Sequence, residues 1–218
     1  MSYLKRIIYV LLGTFSLGFG VALIKLSCLG QDALSALVFS IHYLIDLPFF
    51  SFTVCYLAIN SIFLILTIIF KRDKINIGSI LNFALTGVCC DICMYLFGLL
   101  NLQSNLLIIN LVYSLLGICI MVFGIALYGG ANLGLAPYDV MPILINKVFK
   151  KISYGTSRII LDVTVTILAL IIGVIILRRT DIININTILM LCLVGTILPY
   201  FSKFVNKYII KNDDKTFE

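Results

Sequence analysis

Two stretches of this sequence, LLGTFSLGFGVALIKLSCLG at residues 11–30 and LLGICIMVFGIALYGGANLG at residues 115–134, lie over each other at a shift of 104. Across the longer window, 11–37 against 115–141, nine of 27 positions are identical, among them Gly13/Gly117, Gly20/Gly124 and Gly30/Gly134. At a shift of 108, residues 75–88 lie over 183–196 with seven of 14 identical. That second match includes Ile75-Asn76-Ile77 over Ile183-Asn184-Ile185 and Gly87 over Gly195. Leucine and isoleucine coincide by chance in apolar helices; three aligned glycines and a shared Ile-Asn-Ile are harder to obtain that way. The chain reads as a duplication, with residues 1–104 as a first membrane repeat, 105–210 as a second, and 211–218 as a polar tail.

Both copies are far too apolar for water. The 218 residues are 61% hydrophobic and 12% charged, with mean hydropathy +1.14. A soluble domain carries about 45–50% apolar and about 25% charged residues. Too few polar side chains remain to cover a soluble surface, and so apolar a chain does not stay disordered. The sequence is that of an integral membrane protein.

A membrane-crossing helix needs roughly 20 apolar residues for about 30 Å of hydrocarbon. Six stretches qualify: 7–26, 52–70, 77–100, 106–128, 159–177 and 182–201. They are continuous rather than alternating, which points to helices and not barrel strands. Behind the basic start Met1–Arg6 run 18 uncharged residues, longer than a signal-peptide core of roughly 7–15, so a retained first helix is expected. Lys and Arg in short loops set orientation. With six crossings and both termini inside, 13 of the 16 Lys and Arg face the cytoplasm, Arg158 among them, and Lys25, Arg178 and Arg179 face out. Were 29–47 and 133–149 also full spans, the split would be 10 against 6. Six crossings therefore fit better, and the net charge of +6 reads as a topology signal and as contact with anionic lipid headgroups, not as a nucleic-acid footprint.

Three crossings per repeat is an odd number, so the two repeats are expected to sit in opposite orientations, a layout that recurs in secondary transporters. The short segments 29–47 and 133–149 fall at equivalent places, each behind a glycine-containing break. They read either as re-entrant segments that build a binding site or as interfacial amphipathic helices.

The second break leads into Asn132-Leu133-Gly134-Leu135-Ala136-Pro137-Tyr138-Asp139-Val140-Met141. This resembles the motif of the YczE/YyaS/YitT family of bacterial membrane proteins, in which a leucine-glycine pair precedes a proline, an aromatic residue and an aspartate. The resemblance implies a multi-pass protein of the bacterial inner or plasma membrane, and it implies fold and location more than mechanism. Tyr138 stands where that family often has Trp, and Gly195 and Pro199 lie four apart where it often has a Gly-Pro pair.

Pro137 suits the first turn of a helix, where its missing N–H costs nothing. Asp139 would then sit near the positive end of the helix dipole, either as a helix-start acid or as a carboxylate that coordinates an ion or proton. Asp32 lies near the matching point of the first repeat, although strict alignment puts Ser35 opposite Asp139. Asp91 falls mid-span with no cation one turn away, so it must face a cavity, pair with another helix or stay protonated. Arg158 and Asp162, four apart, are expected to form a structural ion pair on one helix face. Lys25 is expected to snorkel to the headgroups, His42 to be interfacial or satisfied, and Asn60 and Asn110 to bond between helices. The glycine pairs are expected to let helices approach closely, and the seven cysteines, Cys90-x-x-Cys93 included, to be buried thiols acting as small hydrophobes.

These residues favour a secondary transporter or permease of a small solute or ion, with Asp139, Asp91 and Asp32 in substrate contact or proton coupling and Gly134, Pro137 and Tyr138 shaping the site. A second reading is a non-transporting membrane protein that supports a partner complex or biosynthetic pathway. A membrane-embedded enzyme ranks last, since one histidine and no H-E-x-x-H or G-x-S-x-G leave little for catalysis. No catalytic residue, metal site, cofactor or nucleic-acid partner is expected. The length suits half of a homodimeric transporter as well as a complete small one.

Overall fold

A computed structural model describes residues 2–46, 51–149, 152–179 and 182–210 (of Cys192, the backbone alone). The expected polar tail 211–218, and with it Lys211 and Lys215, lies outside the described residues, as do Lys150 and Lys151. Among the described residues the fold is all-helical. Its elements are α1 (Tyr3–Leu26), α2 (Ala33–Ile45), α3 (Phe52–Lys71), α4 (Ile77–Leu99), α5 (Leu107–Gly130), α6 (Pro137–Val148), α7 (Tyr154–Leu170) and α8 (Ile185–Val205). A π-helical stretch, Ile171–Ile176, extends α7, and another, Asn206–Ile210, extends α8. Five helices are long and apolar enough to cross a membrane: α1, α3, α4, α5 and α7 with its extension. The α8 region makes a sixth if its two segments, bent by 52° between Leu191 and Leu193, count as one span. Their outer faces expose Ile and Leu such as Ile62, Ile108, Ile175 and Ile188, a surface that lipid solvates and water does not.

Local chemistry starts each element where the polar residues stand. Asp32, Ser51 and Ser153 are N-caps whose side chains accept from Ser35, Val54 and Thr156 amides. The duplicated Ile-Asn-Ile triplets have the same job. Asn76 and Asn184 cap α4 and α8, each in a capping box closed by Ser79 or Thr187. Pro137 opens α6 at its first turn, as its fixed φ favours.

α1 and α5 pack against each other through the expected glycines. A Cβ on Gly13 would stand 2.6 Å from the Tyr128 amide nitrogen, and one on Gly20 would stand 2.7 Å from the Gly117 carbonyl. Gly124 and Gly117 face the Gly13 and Gly20 carbonyls at 2.6 and 2.9 Å in the same sense. As numbering rises along α1 it falls along α5, so the two helices run antiparallel. α1 also packs on α4 and α5 on α8, while α2 lies on α7 and α3, and α6 on α3 and α7.

The two breaks are sealed crosswise. Between α1 and α2, the Leu29 carbonyl accepts from Asn186 N at 3.0 Å and Gln31 N donates to the Ile182 carbonyl at 2.9 Å. Between α5 and α6, the Leu133 carbonyl accepts from Gly78 N at 2.8 Å and Leu135 N donates to the Lys74 carbonyl at 3.2 Å. These are the same bonds at shifts of 104 and 108. Gly30 and Gly134 have φ of 105° and 96°, and a Cβ on either would strike the capping residue behind it, Thr187 or Ser79. Each break therefore rests on the helix start of the opposite half.

Several expectations are corrected. Arg158 is not a loop cation but is 6% exposed in the core. Asn60 bonds within its own helix, to the Tyr56 carbonyl, and not between helices. Interhelical bonds come from Asn82, which donates to Thr14 Oγ1, and from Asn186, whose Oδ1 accepts from Ser114 and whose Nδ2 donates to the Gly30 carbonyl in the first break. Lys25 lies over the Phe39 and Tyr43 rings, at 4.8 and 5.2 Å, a seat on α2 that headgroup snorkelling alone does not describe. Cys55, Cys90 and Cys93 are buried as expected, whereas Cys28 and Cys119 are exposed.

Gly20→Ala should destabilise the protein by about 1–3 kcal/mol, the usual cost of overpacking. Gly98→Ala should be neutral or slightly stabilising, because a Cβ there meets nothing within 4 Å. Thermal unfolding in detergent compares the two, and equal midpoints would remove the close α1–α5 approach as a source of stability.

Candidate functional site

The break geometry brings the starts of α2 and α6 to one cavity of about 50 Å³, and every one of the eight helices contributes to its wall. By that measure a water needs roughly 10–15 Å³, so the space suits a few waters or one very small solute. Asp32 and Ser35 come from the first turn of α2, Tyr138 and Asp139 from the first turn of α6, and Arg158 and Asp162 from α7. Tyr56, Asn82 and Thr86 supply further polar wall, and the rest is apolar, as Val21, Met121 and Val194 illustrate.

One network fills the second-half side. Arg158 donates through Nη1 to Asp139 Oδ1 and through Nε to Asp162 Oδ2, the latter at 3.1 Å. Tyr128 donates its hydroxyl to Asp139 Oδ2, and Tyr138 donates to Asp162 Oδ1 at 2.5 Å. The Arg158 guanidinium lies 4.8 Å over the Tyr138 ring. Tyr154 donates to the Asp139 main-chain carbonyl at 3.5 Å. Asp139, Asp162 and Arg158 are all buried. Such charges are tolerated inside a membrane fold only when paired and hydrogen-bonded, as here.

The expected i, i+4 pair of Arg158 and Asp162 is present, but Asp139 shares the guanidinium. Asp139 is not a plain helix-start acid, because its carboxylate takes side-chain donors and only its own amide bonds locally, to the Ala136 carbonyl. Asp32 does cap its helix: Oδ2 accepts from Ser35 N at 3.2 Å, while Oδ1 is buried without a partner. Asp91 takes the second of its three options. Its Oδ2 accepts from Thr53 N at 3.0 Å and Thr53 Oγ1 at 2.6 Å, joining α4 to the first turn of α3, and it is not on the cavity wall. Gly134 and Pro137 shape the break and the start of α6 without lining the cavity. His42, near the far end of α2, does not line it either. Among the described residues no three His, Cys, Asp or Glu converge closely enough to hold a metal ion.

Tyr128, Tyr154, Tyr56 and the double role of Arg158 escape a reading of the sequence. One signal was there. A carboxylate as buried as Asp139 needs a cation, and Arg158 stands only five residues after the Ser153 cap, inside the helix that this cap starts. Pro142 leaves another mark, since it has no N–H to give the Tyr138 carbonyl four residues back.

Residues 4–203 match the family described as "Family of unknown function (DUF6198)", and the chain belongs to that family. No curated protein and no solved structure matches the chain.

Arg158→Met would leave two carboxylates facing each other without their cation and should cost about 3–5 kcal/mol. Adding Asp139→Asn and Asp162→Asn should recover most of that loss; a triple variant no more stable than the single one would show that charge compensation is not what Arg158 supplies. Asp91→Ala should cost about 1.5–3 kcal/mol by breaking bonds to a charged acceptor, and Asp91→Asn, which still accepts, should cost less. Thermal melts of the purified variants read both series.

Proposed function

We propose that this chain is a secondary transporter of a small solute or ion, whose cargo or coupling proton occupies the cavity between α2 and α6. The carrying observation is that the breaks of both halves open onto one cavity, largely apolar, whose wall carries Asp32, Asp139, Arg158 and Asp162. Interrupted segments at matching places in two halves are the best sequence pointer to a transporter's binding site. Intramembrane ionisable groups facing a cavity mark solute and proton pathways.

The two halves are inverted repeats of three crossings and one short helix each. The antiparallel α1–α5 contact supports this, as do the crosswise bonds at Leu29 and Leu133, which recur at the duplication's own shifts. The chain sits in a bacterial cell membrane with both termini inside. Without Arg158 the loop cations still divide 12 against 3 in favour of that orientation. The motif at Leu133-Gly134 and Pro137-Tyr138-Asp139 supports kinship with the YczE/YyaS/YitT proteins. The chain is not an enzyme on this reading, and a homodimer remains compatible with its length.

Asp139 is the switching group. It and Asp162 share one guanidinium, so protonation of Asp139, or arrival of a competing partner, leaves Arg158 to Asp162 and removes the ion-pair link between α6 and α7, while Tyr138 still bonds Asp162. A change at the cavity thereby becomes a change in helix contact.

The test is flux in proteoliposomes across a panel of small solutes with an imposed pH gradient. Asp139→Asn should reduce transport at least about tenfold, which corresponds to about 1.4 kcal/mol, while Asp91→Asn should retain it. Unchanged flux in Asp139→Asn would remove the switch. No flux for any solute, together with a stoichiometric co-purifying protein, would favour the supporting role instead.

A further inference from the structure

The starts of α3 and α7 are counterparts at a shift of 102, and they are built alike. Ser51 and Ser153 cap the two helices and accept from the Val54 and Thr156 amides. Each start lies against a glycine of the helix that follows. A Cβ on Gly87 would stand 2.9 Å from Thr53 Cα, and one on Gly155 would stand 3.0 Å from the Gly195 carbonyl. One feature differs. The amide of Thr53, the second residue of α3, donates to Asp91 Oδ2 at 3.0 Å, and the Thr53 hydroxyl donates to the same oxygen at 2.6 Å. At the matching positions, 102 and 108 residues on, stand Gly155 and Pro199.

The second half thus keeps the helix start that holds a carboxylate in the first half, but carries no carboxylate for it. A helix start attracts anions through its unpaired amides and its dipole. Among the described residues the Gly155 amide has no acceptor. Beside it lies an open cavity of about 540 Å³, within the roughly 300–1,000 Å³ of small-molecule sites. Ser153, Gly155, Thr196, Pro199, Tyr200 and Lys203 line it, and no Asp or Glu stands on its wall. Lys203 is exposed, and among the described residues no carboxylate pairs with it.

We propose that this cavity binds a phosphate group, one oxygen of which accepts from the Gly155 amide as Asp91 Oδ2 accepts from that of Thr53. Lys203, one turn beyond Pro199 on α8, supplies the counter-charge. Compared with the first half, the site loses a neutral donor, the Thr53 hydroxyl, and gains a full positive charge. That exchange suits a ligand with more charge and more oxygens than a carboxylate. The phosphate can belong to a lipid headgroup or be free in solution, since the donors are the same for both. The site is separate from the central cavity and does not rest on the transport reading.

The probes are inorganic phosphate and short-chain dihexanoylphosphatidylglycerol, titrated calorimetrically into the purified full-length protein in a neutral detergent. At least one should bind. Lys203→Gln should weaken that binding at least roughly tenfold. Pro199→Asp places a carboxylate where the first half has Asp91, so it should fill the site from within and abolish binding. Pro199→Ala removes the proline without adding a carboxylate and should keep the wild-type affinity. Thermal melts should place Pro199→Asp above Pro199→Ala when neither probe is present.

Binding of phosphatidylglycerol without inorganic phosphate supports the site and assigns it to a headgroup; comparable binding of both supports it as a site for the free anion. Binding of neither overturns the proposal. So does equal affinity in wild type and Lys203→Gln, or equal affinity in Pro199→Asp and Pro199→Ala. Lys203 is exposed at the surface, so its variant decides the matter even where a change at Pro199 prevents folding.

Discussion

A backbone that leaves its helix inside a bilayer must find a protein partner for every N–H and C=O it frees, because hydrocarbon offers none. This chain breaks twice, between α1 and α2 and between α5 and α6, and both times the partner comes from the other half. Leu29 and Gln31 bond to Asn186 and Ile182; Leu133 and Leu135 bond to Gly78 and Lys74. Much else follows from that exchange. The breaks must pass within hydrogen-bond reach of the α4 and α8 caps, which leaves no room for a side chain at Gly30 or Gly134. Once so placed, the first turns of α2 and α6 line the same cavity, and the polar residues they carry share its wall.

The two halves differ in charge. At a shift of 102, the pair Arg158–Asp162 corresponds to Tyr56–Asn60, and at 104, Asp139 corresponds to Ser35. The guanidinium network therefore belongs to one side of the cavity, while the facing side offers Asp32, Ser35 and Tyr56. Arginine stays protonated in proteins, so Arg158 is a fixed charge around which proximity and pairing of the carboxylates must be arranged.

The apolar crossings, the glycine seam and the two breaks were legible in sequence because each depends on residues close in the chain or repeated at a constant shift. The i, i+4 pair was legible for the same reason. Arg158 misled by its position. Hydropathy starts the fifth crossing at Ile159, but the Ser153 cap starts α7 at Tyr154 and carries Arg158 inside. Asp91 and Asn60 show the other limit. The partner of Asp91 is Thr53, 38 residues away at a helix start, and no local pattern announces it. Asn60 Nδ2 could bond across to another helix or back within its own, and it took the local carbonyl of Tyr56.

The crosswise sealing also sets an order in time. The Gln31 amide waits for Ile182, and a ribosome adding about 5–20 residues per second needs roughly 8–30 s to supply it. For that interval the break of the first half lacks these partners, and its backbone groups must be satisfied in another way. Maturation of the first half is completed only when residues 182–186 emerge.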